Sequence, residues 1–133
     1  MESSFKIRPF YPAIIWSLLI LLVSYSVLGL NIPTTIFNVF QTDKVGHFGI
    51  YAILALLIVY GLRKNGKVGG FLLFAVFLWC GFYGFLMEVL QYSFFPGRYF
   101  EIADIVANII GSLIGLIFYL LFKQKLDSTI VDI

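Results

Sequence analysis

Apolar residues gather in four long runs along this chain, and polar positions fall between the runs or in narrow stripes near their ends. The first run covers residues 10–30 and stops at Asn31-Ile32-Pro33. A semi-polar connector, 34–42, leads to the second run, 44–62, which gives way to Arg63-Lys64-Asn65-Gly66-Lys67. The third run covers 68–92 and the fourth 102–122. Each is close to the ~20 residues that a helix needs to cross a hydrocarbon core. The first is too long for the apolar core of a signal peptide, about 7–15 residues, and no small-residue cleavage pattern follows it, so it is expected to stay as a helix. The pattern predicts an all-α integral membrane bundle of four transmembrane helices.

Composition points the same way. Of 133 residues, 61% are hydrophobic and only 12% charged, against about 25% charged in soluble domains. A soluble chain of this size keeps too much of its surface exposed to hide so many apolar side chains. The net charge of +2 comes from dispersed basic residues, which leaves no footprint for nucleic acid. Cys80 is the sole cysteine, set inside an apolar run, so no intrachain disulfide can form and a buried inert thiol is expected. Neither repeats nor low-complexity tracts divide the chain, and residues 1–133 read as a single domain.

The basic residues orient the bundle. If all four runs cross, Lys6, Arg8, Arg63, Lys64, Lys67, Lys123 and Lys125 share one side, while Lys44 and Arg98 lie on the other. The positive-inside rule places both termini in the cytoplasm, with the connector before run two and the loop 93–101 outside.

The polar stripes fall at that outer end. Asp43 and His47 are one helical turn apart, and Tyr51 continues their face. Asp104, Asn108 and Ser112 repeat every four residues in the fourth run. Gly81, Gly84, Glu88 and Gln91 step by three, four and three in the third. At ~1.5 Å per residue, His47, Glu88 and Asn108 reach a similar depth, and ionisable groups at membrane depth are costly enough to suggest a use. Arg98 and Glu101 could close over them. Structural readings stand beside the functional one. Asp43 and Asp104 could cap helix N-termini, and His47 could be a packing residue. Glu88 could belong to a structural ion pair with Arg98 or His47, and Asn108 could bridge helices through its amide. Gly111 and Gly115 form Gly-x-x-x-Gly, which suits close helix contact rather than a ligand.

Asp43-Lys44 with His47, Glu88 with Gln91, Pro96-Gly97-Arg98, and Asp104 with Asn108, Gly111 and Gly115 together resemble the VanZ-like family of bacterial membrane proteins, over about residues 40–118. The resemblance implies a cell-envelope protein, with a namesake linked to teicoplanin (glycopeptide) resistance. It carries no biochemical mechanism.

Two classes of function follow. The first is a non-enzymatic envelope protein binding a ligand or partner at its outer face, such as a lipid-linked precursor or a glycopeptide. The second is a membrane-embedded enzyme acting on a lipid-linked or amphiphilic substrate. There Glu88, His47 and Asp104 are the catalytic candidates, with Glu88 or His47 as acid or base. Asp43, Lys44, Gln91, Arg98 and Asn108 are the binding candidates, and Arg98 would hold a phosphate or carboxylate. No cofactor or metal is expected, because one histidine with two carboxylates from separate helices is a weak metal set. Membrane lipids are the expected surroundings, and the oligomeric state is left open.

Overall fold

Hydrocarbon offers no hydrogen-bond partner, so apolar segments in it fold into helices that satisfy their own backbones. A computed structural model describes residues 4–25, 44–94 and 99–133, and among these it contains helices and no strand. A 3₁₀ turn at Arg8–Phe10 leads into α1, Tyr11–Tyr25. α2 spans Lys44–Asn65, α3 Gly70–Phe94, α4 Ile102–Leu121 and α5 Lys123–Asp132. α2, α3 and α4 are each long and apolar enough to cross a membrane. The first run contributes the shorter apolar helix α1, and its last residues, 26–30, lie outside the described residues; this is compatible with a fourth span.

The observed helix ends follow local chemistry. α2 was expected to stop at Leu62 but continues through Arg63 and Lys64, because basic side chains in a last turn suit the negative end of the helix dipole. It ends where Gly66 adopts a positive φ of 155°, its N–H bonding Arg63 O at 3.2 Å. α5 was not anticipated. The chain turns at Phe122, whose N–H still reaches Phe118 O, and re-enters a helix that folds against the Arg63 end of α2.

α2 and α4 run parallel and form the closest pair in the bundle, with α3 antiparallel to both. Small residues make this possible. The buried face of α4 reads Asp104, Ala107, Asn108, Gly111, Ser112, Gly115, Leu116 and Tyr119, a spacing of three and four. A Cβ on Gly111 would lie 2.5 Å from Phe48 O, and one on Gly115 2.5 Å from Ala52 O. The Gly-x-x-x-Gly pair is therefore a backbone-to-backbone seam, as its packing reading expected. Tyr51, Leu54, Ala55 and Val59 of α2 meet Leu116 and Tyr119 of α4 and Cys80 and Met87 of α3 in one apolar core.

α1 is attached differently. At its start the Phe10 ring covers the bare backbone of Gly61, and Lys6 exchanges backbone hydrogen bonds with the Asn65 side chain at 2.7 and 3.0 Å. Midway along, Trp16 Nε1 donates to Ile50 O at 3.0 Å and the Tyr83 hydroxyl donates to Ser17 O.

Candidate functional site

α2 and α4 begin at the same end of the bundle, so their first turns face each other across the glycine seam. That places His47 against Asn108, with His47 Nδ1 2.9 Å from Asn108 Oδ1. Both residues are buried. Amide oxygen only accepts, so with the Asn108 amide in this orientation Nδ1 carries the proton, and in the neutral ring Nε2 carries a lone pair. Asp104, one turn before Asn108, sets Oδ2 4.0 Å from His47 Nε2, too long for a hydrogen bond. Its other oxygen accepts from Lys44 Nζ at 3.4 Å, and the same ammonium lies 3.8 Å from Glu101. Lys44 is half-exposed, so this pair contributes little energy and mainly covers the Asp104 carboxylate. The capping alternative for Asp104 is not the observed arrangement: Glu101 is the N-cap residue and makes no side-chain cap bond, while Asp104 turns towards α2.

α3 completes the cluster. Gly84 lies against the Asn108 side chain, where a Cβ would come within 2.9 Å of it, and this lets α3 approach α4 one turn below Glu88. Glu88 and Gln91 are buried, inside the bundle rather than on its lipid-facing side. His47, Tyr51, Glu88, Gln91 and Asn108 border one cavity of about 170 Å³. The opposite wall is mostly apolar and comes largely from α1: Trp16, Leu19, Ile20 and Val23, with the buried Ser24 as its polar member. Three polar atoms on the bordering residues, His47 Nε2, Tyr51 Oη and Gln91 Oε1, have no hydrogen-bond partner among the described residues.

Of the residues expected at a site, His47, Glu88, Gln91 and Asn108 border the cavity together, and Asp104 and Lys44 stand beside His47 away from it. Asp43 and Arg98 lie outside the described residues. No three His, Cys, Asp or Glu side chains among the described residues converge as metal ligands would. The apolar wall from α1 was missed. A run so nearly apolar on every face gives no sign of which side borders a cavity. Tyr51 was placed on the His47 face but not among the candidates.

A sequence model described as VanZ/LLP1 matches residues 5–123 of the chain. An uncharacterized protein of Schizosaccharomyces pombe is 31% identical over 87 residues, which is 65% of this chain and 52% of that protein. The chain thus spans about half the length of that relative. No solved structure matches.

Proposed function

The chain belongs to the VanZ/LLP1 family, and from that membership together with the geometry of its polar end we propose that it is an envelope membrane protein that takes an amphiphilic ligand into the cavity beside His47. One observation carries the reading: buried residues with polar atoms unpartnered among the described residues border the same small cavity as a largely apolar wall. A buried polar group left unmatched costs ~1–3 kcal/mol, and Tyr51 Oη and Gln91 Oε1 on residues around one space favour a partner that enters it. A ligand with a polar head and an apolar chain matches both walls. The distribution of Lys and Arg supports an outward-facing cavity in a cytoplasmic membrane, since Arg63, Lys64, Lys67, Lys123 and Lys125 gather at the opposite end of the bundle. Capture of an amphiphile at the outer face is then the route by which the protein would contribute to glycopeptide resistance.

Filling the cavity tests the proposal. Ile20 is a buried part of the apolar wall, and Ile20→Trp should remove amphiphiles that co-purify with the wild type, as read by native mass spectrometry, while the protein stays folded. Wild-type protein that carries no amphiphile from its native membrane, with a susceptibility to teicoplanin unchanged by its deletion, would defeat the reading.

A second reading rests on His47. Its Nδ1 is tied to Asn108 while Nε2 lies 4.0 Å from Asp104 Oδ2, and buried Glu88 borders the same cavity. That is the arrangement of an oriented acid–base pair, and it supports turnover of the same amphiphile. Glu88→Gln separates the two readings. A binding protein keeps its ligand and its phenotype, whereas an enzyme keeps the ligand and loses the phenotype.

A further inference from the structure

The unpartnered atoms also specify the kind of head group, given the amphiphile-binding reading above. We infer that the cavity recognises a neutral, hydroxyl-bearing head, of the polyol or sugar class, in preference to a phosphate. His47, Tyr51 and Gln91 are only 7, 2 and 4% exposed, so bulk water does not satisfy them. Gln91 Oε1 accepts only. His47 gives Nδ1–H to Asn108 Oδ1 at 2.9 Å and its Nε2 lies 4.0 Å from Asp104 Oδ2, so neither ring nitrogen is offered to the ligand as a donor. Tyr51 Oη can accept or donate. The space therefore calls for a ligand that brings hydrogen-bond donors, which hydroxyl groups do and a phosphate dianion does not.

Charge favours the same answer. None of the described residues bordering the cavity is Lys or Arg. Lys44, the cation at the start of α2, is directed to Asp104 and Glu101 instead. A phosphate here would meet acceptor lone pairs, which oppose burying more negative charge.

Size sets the limit on the head. An engineered cavity of ~150 Å³ in another protein takes up benzene, six heavy atoms, and the 170 Å³ here suits a head of glycerol size. The chain attached to such a head would then run along the α1 wall, past Leu19, which is itself partly exposed on the bundle surface.

Fluorescence of Trp16, which borders the cavity, gives a direct test. In Trp79→Phe protein reconstituted in phosphatidylcholine nanodiscs, Trp16 is the single tryptophan. Monoacylglycerol and lysophosphatidic acid carrying the same brominated chain differ only by the phosphate. Saturable quenching by the monoacylglycerol is expected at ~10-fold lower mole fraction, the ratio for about one unmatched buried hydrogen bond. Gln91→Leu and, independently, Tyr51→Phe should each shrink that preference. Equal or tighter binding of lysophosphatidic acid would overturn the head-group inference and leave amphiphile binding standing, with Arg98 then the natural anion partner. Saturable quenching by neither lipid would overturn both. Free glycerol should not displace the monoacylglycerol at equal concentration; displacement would overturn the part assigned to the chain.

Discussion

The glycine seam between α2 and α4 makes a quantitative prediction that reaches the site. In Gly111→Ala the new Cβ would begin 2.5 Å from Phe48 O and 2.7 Å from Phe48 Cα, where ordinary contacts start near 3.4 Å. Both obstacles are backbone, so no side chain can swing aside, and α2 must move away from α4 by about 1 Å. A gap of that size forfeits about a quarter to a half of the dispersion energy of the facing atoms, and overpacking of this kind costs ~1–3 kcal/mol. The helix itself gains up to ~1 kcal/mol when alanine replaces glycine. Gly49→Ala isolates that gain, because a Cβ at Gly49 on α2 meets nothing within 4 Å. The difference between the two variants should therefore be ~1–3 kcal/mol, with Gly111→Ala the less stable. The site should suffer too. Asn108 lies one turn before Gly111, and a 1 Å separation stretches its 2.9 Å contact with His47 beyond hydrogen-bonding range. Unfolding in mixed micelles titrated with dodecyl sulfate measures the first effect, and Trp16 quenching the second. Equal stability of Gly111→Ala and Gly49→Ala would refute the seam as the element that sets the site.

Three further outcomes follow from the same geometry. Asn108→Leu leaves the buried His47 Nδ1–H without its acceptor and should cost ~1–3 kcal/mol, whereas Asn108→Leu with His47→Phe should recover most of it, a non-additivity that a double-mutant cycle reads directly. At the opposite end, Asp127 accepts from the buried Tyr119 hydroxyl at 2.8 Å and lies 3.1 Å from Arg63 Nε; that N–H does not point at the oxygen, so the contact is an ion pair rather than a hydrogen bond. Asp127→Ala should detach α5 and cost ~1–3 kcal/mol, with exposed Lys125→Ala as the neutral control, both by the same titration. For topology, in a Cys80→Ala background a membrane-impermeant thiol reagent added outside should label Ser93→Cys and spare Lys67→Cys, both exposed positions; the reverse would turn the cavity towards the cytoplasm.

The three long helices and the stripe on α4 were legible because both follow from simple periodicity. An apolar run of ~20 residues has few ways to fold in lipid, and Asp104, Asn108 and Ser112 at intervals of four can only share a face. The convergence of His47, Glu88 and Asn108 followed from counting residues inward from one end. Pairing within the cluster was not legible. Whether His47 meets Asn108, Asp104 or Glu88 depends on helix rotation and separation, which Gly111 and Gly115 set through backbone contacts and Gly84 through the Asn108 side chain. α5 was missed because its residues 123–132 are polar and short, and its anchor is a distant one, Asp127 on Tyr119 and Arg63. The apolar side of the cavity was missed for the opposite reason: α1 is apolar apart from Ser17 and Ser24, too sparse a pattern to mark an inner face.

The two walls of the cavity are held by different kinds of contact, and that difference bears on how a ligand could enter. His47, Glu88, Gln91 and Asn108 stand on α2, α3 and α4, which meet through backbone at Gly111 and Gly115 and through the Asn108 side chain at Gly84. Such contacts are stiff, since close-packed interiors give way in steps rather than smoothly. α1 is tied to the bundle by the Phe10–Gly61 contact near its start and by single hydrogen bonds from Trp16 and Tyr83 midway. Beyond Ser17 the side chains of this wall that face the polar residues are Leu19, Ile20 and Val23, which offer apolar contact, and the buried Ser24. In lipid such contact competes with acyl chains of equal apolarity and contributes little to holding a helix in place. The polar side is therefore preorganised, whereas the apolar side can part from it at modest cost, with Trp16 as the pivot. Trp16→Phe, which removes the hydrogen bond to Ile50 O and keeps an aromatic ring, should then speed release of a bound amphiphile more than it slows capture. Stopped-flow exchange with lipid vesicles, after a spin-labelled ligand, would show this as a raised dissociation rate with an association rate nearly unchanged. Identical dissociation rates for wild type and Trp16→Phe would mean that α1 does not govern access to the cavity.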